Sequence, residues 1–368
     1  MGYPSKGCYS FDGCRPRFSC RSTNSKGAQK LHRWRVFSYG PAEGLPQFKE
    51  AVAKDYKIKN EVAYDSNCIL PVDSAAFGIY LCCKTLLKPG DEVIIFDPVD
   101  FLFKYAAEQV GAKTITYHTP QKDDAFDFNE LSSLISPKTK MICLCNPLNP
   151  TGKVFTRSEL LSLAEVVAKH KDLIVLSDEI WSDIIFSPNT FNSFASIGPV
   201  FDQTITVTGY SKSYGLAGLR IGSVLCPNKK IFDQILESSL HQSTVHGANV
   251  LGQIAATAAL NEAQVWLSSF VEHLHGMRNL AVQKLNEMPG VHCKSPEGCY
   301  VLFPDISQTP YSASELHKHL LDKAKVAVVP GLPKWFGSAA EGHIRLSFAT
   351  SEELLTEALN RIHYFLDP

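Results

Sequence analysis

An amide, a carboxylate and an amine follow three successive apolar segments in the middle of the 368-residue chain. Asn149, Asp178 and Lys212 stand 29 and 34 residues apart, and both intervals are close to the roughly 30 residues of a β-α-β unit. Because ligands bind beyond the carboxyl ends of parallel strands, this spacing predicts that the three side chains converge at one edge of a sheet. A lysine among small residues suits imine chemistry there, since its amine can act as a nucleophile.

Nearby residues meet two further requirements of one cofactor. A carboxylate at Asp178 could keep a heteroaromatic nitrogen protonated, and Arg220, eight residues after Lys212, could supply a forked cation for a phosphate. Pyridoxal 5'-phosphate needs a lysine for its aldehyde, an acid for its ring nitrogen and donors for its phosphate. Taken singly, the three residues at the strand ends could be a solvated amine, a helix cap and a turn residue. Their joint order favours a pyridoxal-phosphate site.

The elements that must position these residues alternate between short apolar strands and amphipathic helices, which is typical of a parallel α/β sheet. A helix over 157–170 is opened by Thr156 and Glu159, a capping-box pattern, and a long helix over 264–288 ends at Pro289. The predicted strands are 92–96, 113–117, 141–145, 173–176, 204–208 and 222–225.

The chain divides into three predicted regions. Residues 1–38 form an atypical basic arm, residues 39–270 a large cofactor-binding domain and residues 271–368 a small C-terminal domain, with the long helix as the bridge. The elements predicted in the last region are strands at 299–303 and 343–348 and helices at 313–325 and 352–366. The expected fold class is α/β, with a large domain built on a mostly parallel sheet flanked by helices and a smaller α+β domain at the C-terminus.

Three ordered segments resemble the signature segments of class I/II aminotransferases, the aspartate aminotransferase-like enzymes of pyridoxal-phosphate fold type I. These segments are 149–152, 177–180 and 211–222, and the similarity runs from about residue 36 to residue 367. The resemblance implies a transferase of amino acid metabolism that uses pyridoxal 5'-phosphate. Such an enzyme moves an amino group between an L-amino acid and a 2-oxo acid.

The resemblance also implies roles for individual residues. Lys212 would form the aldimine with the cofactor and shuttle the proton of the substrate's alpha carbon, and Asp178 would pair with the pyridinium nitrogen. Asn149 would contact the ring oxygen and the substrate, and Arg220 would bind the phosphate. Arg345 matches the arginine that forks onto the substrate's alpha-carboxylate.

Two shorter matches imply a site shared between subunits. Ser74, Ala75 and Ala76 match the small-residue turn whose backbone amides hold the phosphate at a helix N-terminus. Tyr39 resembles the tyrosine that reaches the phosphate of a neighbouring subunit. The resemblance therefore implies a homodimer with active sites built from both chains.

Several positions differ from the family pattern. Trp181 replaces a tyrosine that donates to the ring oxygen, and an indole N–H can donate but cannot ionise as a phenol does. Asp100 and then Phe101 stand where one aromatic residue usually covers the pyridine ring, so the sequence leaves open which residue does so. Gly209 replaces a frequent serine, and Ser211 could contact the phosphate instead.

Two other functions fit part of the pattern. The string 178–183 also resembles that of pyridoxal-phosphate-dependent C–S beta-lyases, although such lyases often lack an arginine at the position of Arg220. A catalytically silent binding protein is the third hypothesis, based on Trp181, Asp100 and the basic arm. The sequence has no G-x-G-x-x-G after a strand, which argues against a nicotinamide dehydrogenase, and it also has no P-loop.

The composition is that of a globular protein, with 45% hydrophobic residues, 20% charged residues and a formal net charge of −1. No apolar run reaches the ~18 residues of a membrane span, and the near-neutral charge argues against nucleic acid as a partner. Eleven scattered cysteines without a C-x-x-C pattern predict reduced thiols and no metal site.

Residues 1–38 break this even charge, with eight basic residues and one acid. An Arg-rich, Ser-rich and acid-poor start can be an organellar transit segment, but it lacks the apolar core of a secretory signal. A solvated arm is the alternative. Nothing in it resembles the Gly-rich arm with which the family closes over its substrate. We expect a cytoplasmic protein, with an organellar location as the alternative.

Overall fold

The computed structural model describes residues 38–120 and 126–367, together with the two-residue strand β1 (Tyr9–Ser10). The predicted arm therefore lies outside the described residues, apart from β1 and Ser38. The largest sheet has seven strands, which are β2 (Ile69–Val72), β3 (Glu92–Asp97), β4 (Lys113–His118), β5 (Thr139–Cys145), β6 (Ile174–Asp178), β7 (Thr204–Gly209) and β8 (Gly222–Leu225). All six strands predicted up to residue 225 are present, and β2 is an addition.

The order across this sheet is β2-β8-β7-β6-β5-β3-β4. The pairs from β7 to β4 are parallel, whereas β8 runs antiparallel to both β7 and β2. The prediction of a mostly parallel sheet is confirmed. The strands β5, β7 and β8 are buried along nearly their whole length, as is usual for a sheet covered by helices on both faces.

The strand register brings the chemically active segments to one edge. Cys145 pairs with Asp178, and Asp178 pairs with Val207, so β5, β6 and β7 end at nearly the same level. In the antiparallel pair, Gly209 at the end of β7 faces Gly222 at the start of β8. The loops after β5 and β7 and the start of β8 therefore share the edge that the spacing predicts.

The described helices cover both faces of the sheet and continue into the C-terminal region. They are α1 (Pro46–Asn60), α2 (Ala75–Leu86), α3 (Leu102–Gln109), α4 (Phe128–Ser133), α5 (Arg157–Val167), α6 (Lys229–Ser239), α7 (Val250–Glu262), α8 (Gln264–Asn286), α9 (Ala313–His319), α10 (Pro333–Phe336) and α11 (Glu352–Leu366). The capping box of Thr156 and Glu159 is present at the start of α5. None of the described helices is long and apolar enough to cross a bilayer.

Helix ends differ from the predictions by a few residues. The helix predicted to end at residue 170 stops at Val167, and α8 stops at Asn286. The helix predicted over 313–325 is α9 followed by a π-helical turn, Leu320–Ala324, and it stops at Lys325, whose φ of +58° is left-handed. That residue ends the helical hydrogen bonding, since a left-handed residue closes many helices.

The C-terminal region contains short strands. They are β9 (Val301–Leu302), β10 (Val326–Ala327), β11 (Val329–Pro330) and β12 (Ile344–Ser347). The strands β11, β12 and β9 form an antiparallel sheet, and β10 pairs in parallel with β1. The domain division at residue 270 stays a prediction, and α8 crosses that boundary.

Two hydrophobic clusters hold the described parts together. One packs the main sheet against α2, α3, α5 and α6, and the other joins α1, α7 and α8 to the C-terminal elements. Ile180, two residues after Asp178, contacts both clusters. The edge that carries the candidate site is therefore anchored from both sides.

Candidate active site

Lys212, Asp178 and Trp181 lie together at the strand edge. Asp178 is the last residue of β6 and is buried, and its Oδ1 accepts a hydrogen bond of 3.1 Å from the backbone N–H of Ile180. Lys212 follows β7 by three residues, and its Nζ lies 5.1 Å from the centroid of the Trp181 indole ring. The amine therefore stands over an aromatic face, the geometry of a cation–π contact.

The environment of Asp178 suits a carboxylate that pairs with a cation. Its pKa is raised from 3.8 to about 7, chiefly by burial and also by Asp100, while the Ile180 amide and Lys212 act to lower it. A buried carboxylate is costly unless a donor or cation pairs with it. A protonated ring nitrogen is such a partner, so this part of the site fits pyridoxal phosphate.

Asn149 connects two charged residues from distant parts of the chain. Its Oδ1 accepts a hydrogen bond of 3.0 Å from an Nη of Arg345, and its Nδ2 donates one of 2.9 Å to Oδ2 of Asp100. The same Nη of Arg345 lies 3.7 Å from Oδ2 of Asp100. The structure thus brings Arg345, from β12, to the predicted site, with an unpredicted carboxylate beside it.

The C-terminal region fixes Arg345 and the Asp100 segment together. The Arg345 guanidinium lies 4.9 Å from the ring centroid of Phe336, and the carbonyl of Phe336 accepts a hydrogen bond of 2.9 Å from the backbone N–H of Val99. Two residues earlier, Asp97 accepts hydrogen bonds from the backbone of Ser338 and Ala339. Helix α10 therefore couples the two regions next to the site.

The predicted phosphate end lies where α2 meets β8. Ser74 is the N-cap of α2, and its Oγ accepts a hydrogen bond of 3.1 Å from the backbone N–H of Phe77. A Cβ placed on Gly222 would lie 2.6 Å from the backbone nitrogen of Ala75, so only glycine allows the helix N-terminus this close. Helix N-termini bind phosphate through free amides and the helix dipole.

The other residues predicted to contact the phosphate lie next in the chain to β8, Lys212 or the start of α2, and they are partly exposed to solvent. Arg220 is exposed and left-handed, with a φ of +50°, and directly precedes Ile221 and β8. Ser211 is half-buried beside Lys212, and Ala76 is half-buried in the first turn of α2. Arg220 thus stands close along the chain to Gly222, the residue that contacts Ala75.

Tyr39, Phe101 and Trp181 occupy different surroundings. Tyr39 is 84% exposed, and its ring lies 5.3 Å from that of His246. Phe101 packs edge-to-face on Trp335 with ring centroids 5.4 Å apart, so Asp100 rather than Phe101 contacts Asn149. Trp181 is buried.

The sequence did not predict a buried acid directly behind the site. Glu179 accepts hydrogen bonds from the hydroxyls of Ser177, Ser193 and Tyr56 and from the backbone N–H of Phe194. Burial is the largest cause that raises its pKa, to about 7. The sequence signal for Glu179 is its position next to Asp178 at the strand end. Because successive side chains of a strand point to opposite faces, an acid next to Asp178 is expected on the other side of the sheet edge.

Known proteins match most of this chain. The model of the family "Aminotransferase class I and II" matches residues 11–362, so the match begins within the basic segment 1–38. An aspartate aminotransferase of Pyrococcus abyssi is 33% identical over 332 residues, which cover 89% of this chain and 84% of that protein.

Solved structures share the whole architecture. An aromatic aminotransferase from Pyrococcus horikoshii OT3 has a TM-score of 0.91 and 30% identity, over 98% of this chain and 96% of that one. A PLP-bound protein from Clostridium difficile 630 has a TM-score of 0.90 and 26% identity, over 97% and 92%. The predicted fold class is confirmed.

The chain belongs to the class I and II aminotransferase family. It is a pyridoxal-phosphate-dependent transferase that moves an amino group between an amino acid and a 2-oxo acid. The matches support this activity over the beta-lyase and the silent binding protein.

Proposed function

We propose that the predicted residues form the active site of this aminotransferase and that its substrate binds through its carboxylate at Arg345. The observation that carries the assignment is the 3.0 Å hydrogen bond between Arg345 and Asn149. It holds a forked cation, suited to a carboxylate, against Asn149, four residues after the end of β5, near the edge that carries Asp178 and Lys212.

The predicted residues share the work of binding and proton transfer in this proposal. Pyridoxal phosphate, when bound, supplies the electron sink that allows the alpha proton of an amino acid to leave. Lys212 would hold the cofactor and take up that proton, and Asp178 would pair with the protonated ring nitrogen. Arg220, Ser211 and the amides of α2 bind the phosphate, with Ser74, Ala75 and Ala76 as the first residues of that helix. Trp181 and Phe101 shield the site.

Aspartate and the aromatic amino acids are the donors to test first, because relatives of this chain carry those names. Purified protein with added pyridoxal phosphate should show the visible absorbance of the lysine-bound cofactor. Donors should convert it to pyridoxamine phosphate. Lys212→Ala should abolish both the band and its conversion. A band that forms without Lys212, or one that no donor converts, contradicts the assignment.

We also propose a homodimer. Apolar side chains that include Tyr39, Leu240, Val245 and Leu251 are exposed. The segment of Tyr39 packs on that of Val245, since Gln242 donates a 2.6 Å hydrogen bond to Glu43 and the Tyr39 ring contacts His246. Asn249 next donates to the carbonyl of Leu219, the neighbour of Arg220. A second copy covering these side chains would therefore cover Arg220 as well.

A mixing experiment tests whether the sites are shared. Lys212→Ala and Tyr39→Ala proteins are each weakly active or inactive in this proposal. If Tyr39 serves the neighbouring subunit, a mixed dimer contains one doubly defective site and one intact site, so mixing restores activity. A monomer in sedimentation velocity, or no recovery after subunit exchange, contradicts the homodimer. Cytoplasmic location stays part of the proposal and is tested by imaging the full chain.

A further inference from the structure

We propose that Asp100 is a built-in competitor for Arg345, so that a substrate carboxylate must displace the Asp100 carboxylate before it can bind. This inference rests on the proposed function, because it takes Arg345 as the carboxylate site. Asp100 would then be a specificity-determining residue that weakens the binding of every carboxylate ligand and favours ligands able to displace it.

The geometry holds Asp100 in the competing position. Its Oδ2 accepts a hydrogen bond of 2.9 Å from Nδ2 of Asn149 and lies 3.7 Å from an Nη of Arg345. Its Oδ1 accepts a hydrogen bond of 3.3 Å from the backbone N–H of Leu102. Its backbone N–H also donates to the carbonyl of Asn149, at 3.0 Å. The carboxylate is thus fixed toward the guanidinium rather than toward solvent. The group that faces the arginine is the same chemical group that a substrate would present.

The charges around Asp100 disfavour the binding of a further carboxylate at this site. The groups that face it are Arg345 from β12, Lys212 after β7, Asp178 at the end of β6 and Cys145 at the end of β5. Burial keeps the Cys145 thiol neutral by raising its pKa well above the ordinary range. The carboxyl groups of Asp100 and Asp178 already lie close together, and an arriving ligand adds a third. Like charges at such short range disfavour each other.

The competition between Asp100 and a ligand carboxylate should depend on the protonation of Asp100. Burial raises the pKa of Asp100 above 3.8, while Arg345, Leu102, Lys212 and Asn149 lower it. Only the ionised form competes. As the pH falls toward that raised pKa, Asp100 loses its charge and a ligand carboxylate should bind more tightly. Binding should therefore be accompanied by proton uptake at Asp100, which then donates a hydrogen bond.

Calorimetry with succinate tests this inference on the holoenzyme. Succinate has carboxylates but no amino or oxo group that could react. Asp100→Asn keeps the size and removes the charge, and should bind succinate at least tenfold more tightly than the unaltered enzyme, which is about 1.4 kcal/mol. The unaltered enzyme should take up protons on binding, measured from enthalpies in buffers of different ionisation heat, and Asp100→Asn should not.

Matched variants separate this role from a structural one. Asp183→Asn removes a carboxylate of similar side-chain exposure, 17% against 19% for Asp100, from an ion pair with Lys59, and should leave succinate affinity unchanged. Asp100→Ser should tighten succinate binding as Asp100→Asn does, so the test still stands if one of the two variants fails to fold. Equal or weaker binding in both Asp100 variants, or an unchanged proton uptake, overturns the inference. Cofactor conversion by amino acids is measured on the same samples, so a failed aminotransferase assignment shows itself separately.

Discussion

Asp178→Asn should stabilise the protein without cofactor and at the same time disable the enzyme. Burial raises the pKa of this carboxyl from 3.8 to about 7, so the folded state holds its proton more tightly than the unfolded state does. Between these two pH values the unfolded chain binds fewer protons, and stability falls as the pH rises. The difference corresponds to about 4 kcal/mol of unfolding free energy at neutral pH and above.

An asparagine avoids that cost because it carries no charge to desolvate. Its Oδ1 can still accept the hydrogen bond from the Ile180 amide, which is 3.1 Å long in the native site. We expect a gain of roughly 2–4 kcal/mol without cofactor. At about 2.1 cal/mol/K of unfolding entropy per residue, this gain raises Tm by roughly 3–5 °C.

The same variant should lose catalysis, because a neutral amide cannot stabilise a protonated ring nitrogen. Removing one preorganised electrostatic partner typically lowers kcat by about 10²–10³-fold. Thermal unfolding of the cofactor-free proteins and steady-state kinetics of the loaded ones measure the two effects. The gain should vanish when unfolding is measured near pH 4. A cofactor-free variant that is no more stable at neutral pH, or one that keeps its kcat, refutes the reasoning.

The remaining predictions use the contacts around Asn149, Glu179 and Gly222. Arg345→Gln should lower kcat/KM on the order of 10–10²-fold, since a hydrogen bond to a charged group contributes about 1.5–3 kcal/mol, and steady-state kinetics measure this. Glu179→Ala should lower the unfolding free energy by about 1–3 kcal/mol in urea titrations, because the four donors that converge on that carboxylate lose their acceptor. Gly222→Ala should weaken pyridoxal phosphate binding and destabilise by about 1–3 kcal/mol, because its Cβ meets the Ala75 nitrogen at 2.6 Å. Gly218→Ala is its control, since no atom lies within 4 Å of that Cβ.

Much of the fold follows from local sequence signals. The strands from β3 to β8 are apolar runs between turns and were predicted within one or two residues, and the capping box at Thr156 fixed the start of α5. The exceptions depend on long-range pairing. The four-residue β2 exists through its hydrogen bonds to β8, and the antiparallel direction of β8 cannot be read from its apolar residues. The left-handed Lys325 that ends the π-helical turn has no signal of its own, because lysine rarely adopts that conformation.

The site residues also divide into those with a local sequence signal and those that depend on long-range contacts. The sequence predicts Asn149, Asp178 and Lys212 together because each stands at the end of an apolar strand or within four residues of it, and a spacing of about one β-α-β unit is a local property. Asp100 was noticed only as a departure from a pattern. Its chemistry depends on Arg345, 245 positions further along the chain, and on Asn149, which bonds both. Sequence periodicity cannot place an acid beside an arginine across that distance. In the proposed competition, the Asp100 carboxylate decides which carboxylate ligands bind, so a residue with little local signal in the sequence would determine specificity.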